Sequence, residues 1–80
     1  MLTVKVFAKL AEVVGQSEVR IPEREAASVA DLIHVLTQRY PDAKEILHSS
    51  MVARNLQYVM REEKLEPGDE IAIIPPVSGG

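Results

Sequence analysis

The spacing of apolar residues is the feature that most limits what this chain can fold into. Apolar residues alternate over residues 2–8 and again over residues 70–74, which is the period of a strand with one buried face. Between them, residues 28–40 place apolar side chains three and four positions apart, as one face of a helix does. Because eighty residues leave room for a single hydrophobic core, the strands and the helix must share it.

Local chemistry marks both ends of the predicted helix. Ser28 is a good N-cap, and Asp31 three positions later forms a pattern similar to a capping box. Pro41 ends the helix, because the residue before a proline avoids helical backbone angles. The stripe expected to face the core consists of Val29, Leu32, Ile33, Leu36 and Tyr40.

Shorter patterns flank this helix. Residues 18–22 alternate with Val19 and Ile21 inward, so we expect a hairpin with the first strand across a loop that contains Gly15. Residues 42–49 are expected to hold a short helical turn.

The second half of the chain predicts short strands and tight turns. Residues 51–53 and 58–60 are expected to be strands joined by a turn at residues 55–57. Pro67 and Gly68 suit a type II turn, because proline presets one backbone angle and glycine accepts the positive one.

This order of elements predicts an α+β fold with the β-grasp layout. One main helix is expected to pack across a mixed sheet, with the strongly hydrophobic first and last strands side by side at its centre. Their pairing is parallel if the helix crosses between the halves in the usual hand. We expect residues 1–74 to form this domain and residues 75–80 to form an extended, flexible tail that ends in Gly-Gly.

Composition argues against several classes of function. The net charge of −3, from nine basic and twelve acidic residues that are interleaved, does not predict a nucleic-acid partner. The chain has no cysteine, and His34 and His48 stand in no metal-ligand spacing, so we expect no metal and no bound cofactor. There is no apolar run long enough for a membrane span and no signal-peptide pattern, so we expect a cytoplasmic protein without a membrane partner.

The tail begins with residues that keep it extended. Pro75 and Pro76 cannot donate to a strand ladder, so they end the last strand and reduce what must be ordered on binding. Val77 can enter a small apolar pocket, and Ser78 can hydrogen-bond to the walls of a channel. We therefore expect this segment to be inserted into a partner protein.

The two glycines at the end present a carboxylate with little around it. Gly79 and Gly80 let the backbone pass where a side chain would clash, so the reactive group is the carboxylate of Gly80. A carboxylate must be activated, usually as an acyl adenylate made from ATP. The chain has no phosphate-binding glycine loop, so a separate enzyme is expected to consume the ATP. Sulfur attack on the adenylate gives a thiocarboxylate, and amine attack gives a peptide or isopeptide bond.

Two outward apolar residues are candidates for a partner interface. If Ile71 and Ile73 face the helix, Ile74 faces outward at the root of the tail. Alternation points Tyr58 away from Val59, and we expect Tyr58 to lie near Ile74.

Three segments of the chain resemble the small subunits of molybdopterin synthase. They are residues 6–15 (VFAKLAEVVG), residues 52–55 (VARN) and residues 65–80 (LEPGDEIAIIPPVSGG). The combination of a Gly-Asp-Glu turn, an apolar strand, Pro-Pro-Val and a closing Gly-Gly is specific. The resemblance implies a ubiquitin-like β-grasp sulfur carrier, with Tyr58 and Ile74 at positions where the family has apolar interface residues.

The resemblance also implies a mechanism. An activating enzyme would adenylate Gly80, and a sulfur donor protein would convert it to a thiocarboxylate. The tail would then enter the large subunit, which holds the catalytic side chains, and give sulfur to a cyclic pyranopterin precursor of molybdenum cofactor. The small subunit, not catalytic alone, would form a heterotetramer with two large subunits and a second copy of itself.

Other functions remain open from the residues. A sulfur carrier for thiazole synthesis shares the fold and the Gly-Gly end, although it typically lacks the Pro-Pro root. A ubiquitin-like modifier would use the same adenylate to join lysines of target proteins. A plain interaction module would not need its tail at all.

Overall fold

The computed structural model describes residues 1–76 of the chain, and its elements largely follow the sequence patterns. The strands of the described residues are β1 Leu2–Val6, β2 Glu18–Ile21, β3 Met51–Arg54, β4 Gln57–Val59 and β5 Glu70–Ile74. The α-helices are α1 Ala8–Val14, α2 Val29–Arg39 and α3 Lys44–Ser49. Single 3-10 turns, Glu23–Glu25 and Pro41–Ala43, precede α2 and α3.

The strands form one mixed sheet in the order β2-β1-β5-β3-β4. β1 and β5 pair in parallel, with Val4 opposite Ile71 and Val6 opposite Ile73. The other neighbouring strands pair antiparallel. This confirms that the first and last strands lie side by side and run in parallel inside the sheet.

One face of the sheet and the apolar stripe of α2 make up the core. Leucine, isoleucine and valine side chains of alternating strand residues are buried there: Leu2, Val4, Val6, Val19, Ile21, Val52, Ile71 and Ile73. α2 contributes the predicted stripe of Val29, Leu32, Ile33 and Leu36, and Tyr40 packs against it while partly exposed. Helices thus cover one face of a mixed sheet, which confirms the β-grasp fold.

The ends of α2 also agree with the sequence. The hydroxyl of Ser28 accepts a hydrogen bond from the N–H of Asp31 at 3.2 Å, and the Asp31 carboxylate accepts one from the N–H of Ala27 at 3.1 Å. The first bond satisfies an N–H group that the helix itself leaves free at its start, and the second ties the residue before the N-cap to the first turn. The helix ends at Arg39, two residues before Pro41.

The segment after β1 is where the prediction was wrong. β1 ends at Val6, and the expected loop around Gly15 contains helix α1 instead. Leu10 on α1 is buried, with Val13 and Val14 packed against the core, so a short helical stripe replaces the loop. Gly15, with φ of 87°, ends the helix by donating its N–H to the carbonyl of Ala11. β1 and β2 still pair antiparallel, so the pairing was right and the connection was wrong.

The turns of the second half match their residue types, with small shifts in boundaries. β3 extends to Arg54 and β4 ends at Val59, so Met60 lies outside the strand that was expected to include it. The turn between them is two residues, Asn55 and Leu56, with φ of 49° and 73°. Two positive φ angles in succession are the signature of a type I′ hairpin turn.

The turn before β5 agrees with its prediction. Gly68 has φ of 84°, and the carbonyl of Glu66 accepts a hydrogen bond from the N–H of Asp69 at 3.1 Å. A positive angle at the third of four residues is what a type II turn requires, and glycine adopts it without a steric clash.

Candidate functional site

The outer face of the sheet is apolar where the tail begins. Register places Met51 opposite Ile74, Ala53 opposite Ala72, and Tyr58 opposite Ala53, so these side chains share the face away from α2. A hollow of about 400 Å³ on this face is lined by Phe7, Ala53, Leu56, Tyr58, Ala72 and Ile74. We call these six residues the tail-root face, because β5 leads from it directly into Pro75 and Pro76.

Large apolar side chains on the tail-root face are open to solvent. Phe7 is 45% exposed, Tyr58 66% and Leu56 91%, while Ile74 is half-buried. Single apolar residues on a surface are ordinary, but several around one hollow are typical of a protein interaction site. The structure therefore brings together Tyr58 and Ile74, the two residues selected from the sequence, in a setting suited to a partner.

Phe7 and Leu56 were not selected as site residues from the sequence. Phe7 lies on the outward side of the first strand by alternation, and Val6 lies opposite Ile73 in the parallel pair. The predicted pairing of β1 with β5 was therefore enough to place Phe7 near Ile74. For Leu56 there was no such signal, because its position depends on the geometry of the turn.

A polar row borders the tail-root face towards β1 and β2. Lys5 Nζ lies 3.2 Å from a carboxylate oxygen of Glu70, and both side chains are nearly half exposed. An exposed ion pair of this kind contributes little to stability. The ion pair lies at the edge of the tail-root face, in the way that a polar rim surrounds the apolar centre of many protein interfaces.

A second hollow, of about 310 Å³, adjoins the tail-root face at the outer edge of the sheet. Tyr58 lines both hollows, and the second also includes the exposed side chains of Met51 and Met60. Beneath them, the guanidinium of Arg61 donates to the carbonyl of Ser50 at 3.0 Å. Apolar surface thus continues from the tail-root face across Tyr58 on the edge strand β4 to Met51 and Met60.

A buried carboxylate holds the β3–β4 turn against the start of β5. Asp69 accepts hydrogen bonds from Arg54 Nε at 2.6 Å, from Asn55 Nδ2 at 2.9 Å and from the N–H of Glu66 at 2.7 Å. Arg54 also reaches Glu63 at 3.0 Å. We call Arg54, Asn55 and Asp69 the turn clamp.

The turn clamp sets the charge state of Asp69. Burial by itself raises the pKa of Asp69, but hydrogen bonds from Arg54, from the backbone of Glu66 and from Asn55 outweigh it, so the pKa lies below its usual value. The hydrogen bond to Asp69 in turn raises the pKa of Arg54 despite the opposing effect of burial. Both groups are therefore charged at neutral pH, and the turn that carries Leu56 and leads into Tyr58 is tied to the sheet.

Residues 1–76 offer the apolar tail-root face as a candidate docking surface. They contain no cluster of three or more His, Cys, Asp or Glu side chains that could hold a metal. His34 on α2 and His48 on α3 are both exposed. None of the helices in this part of the chain is long and apolar enough to cross a membrane. The cytoplasmic location stays a prediction.

The tail itself is described only at its root. Pro75 is half-buried and Pro76 is exposed just after β5. Val77, Ser78, Gly79 and Gly80 lie outside the described residues, so their expected roles, and the extended form of residues 75–80, stay predictions.

Comparison with known proteins gives matches along nearly the whole chain. The sequence model of the ThiS family matches residues 4–80. The molybdopterin synthase sulfur carrier subunit of Dictyostelium discoideum is 44% identical over 78 residues, which cover 92% of this chain and 90% of that protein.

Two further relatives differ in what their names describe. Small archaeal modifier protein 1 of Haloferax volcanii is 37% identical over 84 residues, covering 95% of this chain and 97% of its own. A solved protein–protein complex of subunits 1 and 2 of the molybdopterin-converting factor from Helicobacter pylori contains a chain that superposes with a TM-score of 0.70. That chain is 25% identical, and the match covers 99% of this chain and 97% of that one.

Proposed function

This chain belongs to the ThiS family, and we propose that it is the sulfur-carrier subunit of a molybdopterin synthase. The observation that carries the proposal is the 44% identity, over almost the full length of both chains, to a sulfur carrier subunit of that enzyme. An apolar docking face at the point where the tail leaves the sheet is consistent with this role.

The chemistry takes place at the carboxylate of Gly80. A carboxylate oxygen attacks the α-phosphorus of ATP, pyrophosphate leaves, and the acyl adenylate forms on a separate activating enzyme. Sulfur at the sulfide level, supplied by a donor protein, then attacks the acyl carbon and displaces AMP, which leaves a thiocarboxylate. The thiocarboxylate sulfur then bonds to a carbon of a cyclic pyranopterin precursor as an oxygen leaving group departs, and water cleaves the acyl–sulfur bond, which leaves sulfur on the precursor and returns the carboxylate. The chain binds no cofactor of its own in this scheme, and ATP is consumed by the activating partner.

The folded domain supplies the docking energy, and the tail supplies the reach. The larger synthase subunit is proposed to cover the tail-root face while residues 75–80 enter its active site. From Ile74 to Gly80 the chain can span about 20 Å, at roughly 3.3–3.6 Å per extended residue. The Helicobacter pylori complex of two subunits supports a larger partner for a chain of this fold. Two copies of each subunit would make the heterotetramer.

Intact mass measurement tests the proposal directly. The chain is incubated with its cognate activating enzyme, ATP and a sulfide source, and the expected product is heavier by the difference between one sulfur and one oxygen. A variant that lacks Gly80 is the matched control, because it keeps the whole described domain but is expected to show no mass change. Unchanged mass of the wild-type chain under these conditions would contradict the proposal.

A protein modifier is the second candidate function. The similarity to small archaeal modifier protein 1 favours it, and the same adenylate at Gly80 serves both chemistries. Lysine adducts joined through Gly80 in a lysate of the source cells, absent when Gly80 is deleted, are the outcome expected of a modifier. Co-purification with a larger pterin-binding subunit without such adducts is the outcome expected of a dedicated sulfur carrier.

A further inference from the structure

Leu56 is unfavourable in its position for two separate reasons. It is 91% exposed, so almost the whole apolar side chain is in contact with water. It also has φ of 73°, in the second position of a two-residue turn where glycine is strongly preferred. Neither burial nor backbone geometry explains a leucine at this position within residues 1–76.

Hydrogen bonds of Asn55 hold the turn that carries Leu56 against the start of β5. Asn55 donates its backbone N–H to the carbonyl of Glu70 at 2.8 Å, and its side-chain oxygen accepts from the N–H of Glu70 at 3.0 Å. Its side-chain nitrogen donates to Asp69 at 2.9 Å. Since these three hydrogen bonds hold Asn55, the backbone next to Leu56 is already ordered before a partner binds, which lowers the entropy cost of binding.

Leu56 also lies on the surface that adjoins the tail. It lines the same hollow as Phe7, Tyr58 and Ile74, and the chain continues from Ile74 into Pro75. A partner that takes the tail must approach this side of the sheet. An exposed aliphatic residue with a strained backbone at that place is a candidate anchor, because strained residues cluster at functional sites and aliphatic side chains can fill pockets on a partner.

We propose that Leu56 is a contact residue for the larger synthase subunit, and that its side chain fills an apolar pocket on that subunit beside the contacts of Tyr58 and Ile74. The proposal rests on the proposed function, since the larger subunit is the occupant to which it commits. That choice follows from continuity: the protein whose active site receives the tail must lie against the surface from which the tail departs.

The test compares variants of Leu56 in binding to the purified larger subunit, measured by titration calorimetry on the full-length chain. Leu56→Gly and Leu56→Asn both remove the apolar side chain, and both residues tolerate positive φ, so each variant is expected to melt at or above the wild-type temperature. Binding is expected to weaken by about 10- to 100-fold, the range for losing one fully buried leucine side chain. Leu56→Met keeps the apolar volume and is expected to stay within about threefold of wild type.

Tyr58→Ala separates failure of this inference from failure of the proposed function. If Tyr58→Ala weakens binding while Leu56→Gly and Leu56→Asn bind like wild type, the inference is overturned and the proposed docking face stands. If the wild-type chain does not bind the larger subunit at all, the proposed function fails and this inference fails with it.

A second copy of this chain is the other possible partner of Leu56 that the test can detect. Sedimentation velocity of the isolated wild-type chain and of Leu56→Asn is measured at the concentrations used for calorimetry. A wild-type dimer that Leu56→Asn converts to a monomer, with binding to the larger subunit unchanged, assigns Leu56 to a second copy of this chain and overturns the proposal.

Discussion

Replacing Asp69 with alanine is expected to destabilise the domain by about 2–4 kcal/mol, because its one carboxylate accepts three hydrogen bonds from two segments of the chain. Its hydrogen bonds to Arg54, Asn55 and the N–H of Glu66 are 2.6, 2.9 and 2.7 Å long. A hydrogen bond to a charged group contributes about 1.5–3 kcal/mol. The full sum is not lost, since Arg54 keeps Glu63 at 3.0 Å and Asn55 keeps the N–H of Glu70 at 3.0 Å.

Urea unfolding followed by circular dichroism measures this loss, and thermal melting checks it. For a domain of this size, 1 kcal/mol corresponds to about 4–8 °C in Tm, so the expected decrease is roughly 8–32 °C. Asp69→Asn keeps the shape of the side chain and should lie between wild type and Asp69→Ala. Glu62→Ala is the control, because Glu62 is an exposed carboxylate and its loss should change stability by less than about 0.5 kcal/mol. An Asp69→Ala protein as stable as Glu62→Ala would refute the account of the turn clamp.

Other perturbations test the remaining parts of the account. Because the pKa of Asp69 is lowered in the folded state, the stabilisation from its charged form is present above the ordinary aspartate pKa of about 3.9 and is lost as pH falls through the folded value. The difference in unfolding free energy between wild type and Asp69→Asn should therefore be full at about pH 6 and shrink below about pH 4. Ala8→Gly should stabilise the domain by about 1 kcal/mol in urea unfolding, because Ala8 has φ of 51° and glycine adopts that angle without a clash; a loss of stability would contradict this. Ile71→Ala removes a fully buried side chain between β1 and β3 and should lower the unfolding free energy by about 2–5 kcal/mol. Phe7→Ala should weaken calorimetric binding to the larger subunit by about tenfold or more while changing Tm little, since Phe7 is 45% exposed; unchanged binding would remove Phe7 from the docking face.

Two of the six residues of the tail-root face were selected from the sequence. Tyr58 and Ile74 were identified because strand alternation is a local property, readable within five residues. The partners of Asp69 were not identified, since Arg54 and Asn55 lie 15 and 14 residues away from it and meet it only through the pairing of β3 with β5. Leu56 was missed for a related reason: its exposure follows from a two-residue turn, and the sequence indicated a longer one.

The sequence by itself determined the places where strands and the main helix form and the turn at Gly68, because periodicity, proline and glycine act over a few neighbouring residues. Tertiary structure decided the rest. Helix α1 has only seven residues, so the spacing of Leu10, Val13 and Val14 is too short a pattern to secure a helix, and packing of these residues against the core stabilises it. The tail-root face exists only because the parallel pairing of β1 with β5 and the antiparallel pairing of β3 and β4 bring residues 7, 56, 58 and 74 to one surface. Contacts between residues that far apart in the chain depend on how the whole core packs.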